Sequence, residues 1–204
     1  MDLLENYKKA WVNQPEEVSK FSAVEIYKLA QSKSSSIVKW IFIIGILEFI
    51  VLNSLYFFVD MDDTYKEYKK IGLETFIYVS QVIFYVIIFY FLIKFYLNYQ
   101  KISTSDSTRI LMKKILKTRK TVNNYVVFNL IYIAIISIIV MVAEVNLNFE
   151  DFNIKQILLF CLLTLLLITV MLVVLYLFYR LLYGILLKKL KRNYKELAKL
   201  DSEY

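Results

Sequence analysis

The sequence predicts an all-α, polytopic membrane protein with four transmembrane helices, both termini on the inner side, and short amphipathic helices on the cytoplasmic face. Of its 204 residues 59% are hydrophobic and 21% charged, which is not the balance of a soluble domain. The apolar residues gather in runs over 37–59, 72–98, 122–145 and 154–186. At about 1.5 Å per residue each run crosses a hydrocarbon core of about 30 Å. Lys and Arg alternate with the runs: six in 1–39, three in 60–71, seven in 99–121, one in 146–155 and seven in 180–204. By the positive-inside rule the three rich segments are cytoplasmic and the two poor loops lie outside.

Residues 1–36 hold balanced charge and no apolar stretch long enough for a secretory signal, so they are expected to form a cytoplasmic helical arm. Leu3, Leu4, Tyr7, Ala10 and Trp11 recur at helical spacing until Asn13, Gln14 and Pro15 break the pattern. Ser22 with Glu25 makes a capping box, and Phe21 with Ile26 a hydrophobic staple, so a second helix is expected from Ser22. Its apolar face comprises Ala23, Ile26, Tyr27 and Ala30. Two uses of these stripes stand open. They lie on headgroups or on the protein's own loop, or else Trp11, Ile26 and Tyr27 dock a cytoplasmic partner.

Span one contains Glu48, the single carboxylate at that depth. A central acid costs about 3 kcal/mol, whereas the sixteen Ile, Leu, Val and Phe residues of the span contribute about −6 to −7 kcal/mol, so insertion survives it. Gln81, Asn129, Ser80 and Ser137 are the expected interhelical partners. Structural hydrogen bonding, a proton or cation role and an oligomer contact are three readings of this acid. Lys94 and Arg180, near the inner ends, are expected to snorkel, and Cys161 to pack as a small apolar residue.

The outer loops, of about 12 and 8 residues, are too short for a folded domain. In the middle loop Asp106 is the expected N-cap of a basic amphipathic helix. Its Leu111, Met112, Ile115 and Leu116 oppose Lys113, Lys114, Lys117 and Lys120, and the helix is expected in the inner interface against anionic lipid headgroups. Residues 187–204 continue span four as a basic helical tail with Leu187, Leu190, Tyr194 and Leu197 at 3–4 spacing. The domain division is therefore an arm over 1–36, a four-helix membrane domain over 37–186 and the tail.

With no His and one Cys, the chain cannot build a His-based metal site, a Ser-His-Asp or Cys-His device or a CxxC pair. No catalytic residue, metal or cofactor is expected. The net charge of +7 reads as a topology signal, and no nucleic-acid motif accompanies it. The spans lack paired Gly/Pro interruptions, which lowers the expectation of a broken-helix transporter.

The segments ENYKKAW and EIYKLAQSKSSSIVKWIF, with four spans behind them, resemble a family of uncharacterised bacterial integral membrane proteins. Such proteins are sometimes labelled beta-carotene 15,15'-monooxygenase. That label fails on chemistry, because carotenoid-cleaving enzymes hold a non-haem iron with several His side chains and this chain has none. The resemblance implies a topology and no activity. The expected function is that of a non-enzymatic inner-membrane adaptor, regulatory or scaffolding, engaging a cytoplasmic or membrane partner. The alternative is a subunit of a small homo-oligomeric channel or transporter built around Glu48.

Overall fold

The computed structural model describes residues 23–55, 58, 61–105, 107–148 and 153–203. Trp11, the first stripe of the arm, Phe21 and Ser22 lie outside the described residues. Five helices and no strand occur among the described residues: α1 (Ala23–Ser54), α2 (Met61–Lys70), α3 (Glu74–Ser103), α4 (Thr108–Leu147) and α5 (Ile154–Glu203). Four of them, all but α2, are long and apolar enough to cross a membrane. The chain is a multi-pass membrane protein.

Local chemistry sets the ends of these helices. After α2, Gly72 takes a φ of 72°, its N–H donates to Lys69 O, and Leu73 N–H donates to Tyr68 O, which makes a Schellman stop. The second span therefore starts at Glu74, two residues later than its hydropathy suggests. Ser107 caps α4 by accepting from Ile110 N–H at 3.4 Å, so the cap is one residue beyond the expected Asp106, which lies outside the described residues. Asn153 opens α5 as a capping box: its N–H donates to Gln156 Oε1 at 2.8 Å, while its own Oδ1 accepts from Lys155 N–H at 3.4 Å. The exposed ion pairs of α2, Lys66 with Asp63 and Lys70 with Glu67, add little.

Each long helix buries a seam at alternating three- and four-residue spacing. On α1 it runs Ser34, Val38, Ile41, Gly45 and Glu48, and on α3 Ile88, Phe91, Phe95, Asn98 and Ile102. The α4 seam is Leu111, Ile115, Thr118, Val122, Tyr125 and Asn129. On α5, Tyr179, Tyr183, Leu190, Asn193 and Leu197 repeat it. A 3–4 alternation is the heptad repeat of left-handed knobs-into-holes packing, so the four helices form an antiparallel bundle in which α1 and α4 each pack between α3 and α5. Polar seam positions pair across it: Asn193 Nδ2 donates to Ser34 Oγ at 3.0 Å, and Asn98 Nδ2 to Thr121 Oγ1 at 3.3 Å. Such pairs fix the register, since a slip would strand them.

The seam runs past the spans into a basic stem, which revises the expected surface helices. Leu111 and Ile115 are fully buried in the bundle rather than in lipid, and Leu190 and Leu197 bury the tail in the same core. The physical reason is that the stem, whose outer faces are charged, has four apolar stripes to bury, each full Leu or Ile side chain contributing about 1.5–3 kcal/mol. The second stripe of the arm is the first part of α1. Tyr27 packs on the core and its hydroxyl donates to Ser105 O at 2.6 Å, so this stripe lies on the protein's own loop. Ile26 is half-buried. Arg109 Nε donates to both oxygens of Asp201 at 3.2 Å, tying the start of α4 to the end of α5.

At Gly45 the helices meet closely, for an added Cβ would lie 3.0 Å from Leu92 Cδ2 and 3.3 Å from Phe95 Cδ2. Gly184, whose added Cβ would meet only Arg180 Cγ at 3.5 Å, has room. Gly45→Val is therefore expected to destabilise the bundle by about 1–3 kcal/mol. Gly184→Ala should change it by no more than about 1 kcal/mol. Thermal midpoints of the two variants in one detergent check the contrast.

Candidate functional site

Glu48 lies three residues after Gly45 on the buried seam of α1, and α5 brings two tyrosines to it. Tyr179 Oη donates to Glu48 Oε1 at 2.7 Å and Tyr183 Oη to Oε2 at 2.8 Å. Both carboxylate oxygens are thus solvated by phenols, and no Lys or Arg pairs with Glu48 among the described residues. The tyrosines stand four apart on α5, about one helical turn, so their rings stack at 6.3 Å and their hydroxyls reach the same carboxylate. Tyr125 of α4 packs edge-on against both, at 6.2 and 6.0 Å, and Phe91 and Phe95 of α3 pack edge-on against Tyr125. All four spanning helices therefore meet in one layer around the acid.

Above this layer the bundle opens. Glu48 is about 9 Å along the helix axis from the end of α1, whereas α4 continues for about 33 Å beyond Tyr125. The early end of α1 leaves a cavity of about 320 Å³ between α1, α3 and α4, with Tyr65 and Tyr68 of α2 at its rim and Glu48 and Tyr125 in its lining. Its wall is polar in places. Tyr85 Oη donates to Asn53 Oδ1 at 2.8 Å, Gln81 Nε2 donates to Tyr85 Oη at 3.4 Å, and the Ser80 and Tyr132 hydroxyls are 3.4 Å apart. Below the layer, Ile41, Val38 and Val122 are fully buried and close the seam.

Gln81 and Asn129, expected as partners of Glu48, line the same cavity but bond elsewhere, and Asn129 Nδ2 donates to Tyr125 O of its own helix at 2.8 Å. Ser80 is likewise on the wall. The tyrosines take their place: the heptad register sets Tyr179 and Tyr183 of α5 against the two carboxylate oxygens, with Tyr125 of α4 beside them. The pair of tyrosines at i, i+4 in span four was the available signal. Lys113, Lys117 and Lys120 are exposed on the stem, while Lys114 Nζ donates to Lys101 O at 2.6 Å. Lys94 lies 5.2 Å from the Tyr90 ring centroid, and Cys161 is half-buried.

Fold and site define a four-helix multi-pass membrane protein with a largely apolar cavity, polar in places, that ends on a buried acid. The chain belongs to a family described as a domain of unknown function, DUF8845, whose model matches residues 24–202, nearly the whole of the bundle from α1 to α5. No curated protein and no solved structure matches it.

Glu48→Leu removes two interhelical bonds, each averaging about 0.6 kcal/mol and reaching about 1.7 kcal/mol in membrane proteins, so a loss of about 1–3 kcal/mol is expected. Glu48→Gln should cost less than half of that, because its carbonyl accepts from one tyrosine and its amide donates to the other. Denaturation of the purified variants in mixed micelles measures both, and equal losses would contradict the hydrogen-bonded layer.

Proposed function

We propose that this protein is a non-enzymatic regulatory or scaffolding adaptor of a bacterial inner membrane, with both termini and the basic stem in the cytoplasm. In this reading the cavity receives a small ligand from the outer side, and the stem engages a cytoplasmic or membrane partner. The observation that carries it is the blind cavity: it reaches Glu48 and stops at a closed seam, which suits binding rather than passage. The twenty bases of the stem-side segments support the orientation, and the resemblance to bacterial membrane proteins supports the location. Exposed Lys113, Lys117 and Lys120 offer the stem's charge to anionic headgroups or an acidic partner.

A channel or transporter would need a path between copies, since none runs through the single bundle below Glu48. Crosslinking in cells followed by native mass measurement separates the two. The adaptor reading expects a stoichiometric soluble protein on the stem, lost in Lys113→Glu/Lys117→Glu while insertion and abundance hold. A closed homo-oligomer whose flux in proteoliposomes is abolished by Glu48→Gln would overturn it.

A further inference from the structure

A second recess, this one polar, lies on the opposite half of the molecule from the Glu48 cavity. It is a groove of about 430 Å³ between α1 and the end of α3. Lys28, Ser32, Ser35, Ser36 and Lys39 line it from α1, and Tyr99 from α3. Lys28, Ser32, Ser35 and Lys39 follow one another at four, three and four residues, so they share one helix face beside the buried seam. No carboxylate lines the groove among the described residues. Neither lysine forms an ion pair, and the Ser32, Ser35, Ser36 and Tyr99 hydroxyls form no hydrogen bond, among the described residues.

The wall is built and held. Gln31 Nε2 donates to Ser105 O at 2.8 Å and to Ser103 O at 3.2 Å, and Tyr27 Oη also caps Ser105 O. These bonds clamp the end of α3 to α1 and occupy carbonyls that would otherwise repel an anion. Two ammonium groups on flexible stems, flanking a row of hydroxyl donors, match a phosphate group, which offers several acceptor oxygens and negative charge. Exposed Trp40 and Tyr96 lie beside the groove in sequence, the residue types that favour a membrane interface.

We infer that this groove binds a phosphate monoester at the stem-side surface of the membrane. The phosphate belongs either to a lipid headgroup or to a soluble anion, and the chemistry of recognition is the same for both. Native mass spectrometry of the full chain from phosphatidylcholine nanodiscs, with and without phosphatidic acid, tests it, with inorganic phosphate as competitor. Lys28→Gln/Lys39→Gln is expected to weaken phosphatidate binding about 25-fold, about fivefold per lysine. Ser32→Ala/Ser35→Ala, which leaves the charge intact, is expected to weaken it several-fold with an unchanged thermal midpoint. Lys188→Gln/Lys189→Gln, at similar depth on α5, is the control for charge alone and should stay within about twofold. Phosphatidate bound at least about tenfold more tightly than free phosphate identifies the headgroup as the source, and equal affinities identify a soluble anion. Equal loss in the two lysine pairs, or undiminished binding in both groove variants, would overturn the assignment.

Discussion

A carboxylate inside an apolar bundle has to be solvated by the protein itself, and here two phenols do so. Glu48 sits where α1 loses its neighbours, and the bonds from Tyr179 and Tyr183 hold α1 to α5 at that level. Because Tyr125 packs on both tyrosines and Phe91 and Phe95 pack on Tyr125, the layer registers all four spanning helices at once. A slip of one heptad would leave an unpaired acid in a medium that does not tolerate one.

That layer divides the molecule. On the stem side the seam is continuous and its polar residues pair across helices, as Asn193 does with Ser34. On the other side, α4 has no fully buried residue beyond Asn129, and the short reach of α1 leaves room for the cavity.

The spans were legible in the sequence because lipid demands long apolar runs, and Glu48 stood out because it interrupts one. The seam was harder to read. Membrane-facing positions such as Leu166, Val173 and Leu177 are as apolar as buried ones, so hydropathy does not separate the two faces. Only in the stem, where Lys and Arg alternate with the apolar residues, did Leu111, Ile115, Leu190 and Leu197 show as stripes, and their partner proved to be one another rather than lipid. The tyrosine partners of Glu48 depend on a register between residues more than 130 positions apart, which local spacing does not encode. Helix α2 was hidden by its polarity, although the Gly72 stop after it was a readable signal.

The central claim is that the bundle is open down to the Glu48 layer and closed beneath it. Cysteine accessibility along α4, in a Cys161→Ser background, tests it most directly, with single cysteines at Ile136, Ile133, Asn129, Val122 and Thr118 and a small water-soluble thiol reagent. Ile136 and Ile133, half-buried in the cavity wall, should react, Asn129, which lines the cavity but is buried, should react more slowly, and Val122 and Thr118 should be protected, since they are fully buried. Reaction at Val122 as fast as at Ile136, in a variant that keeps its thermal midpoint, would contradict the account.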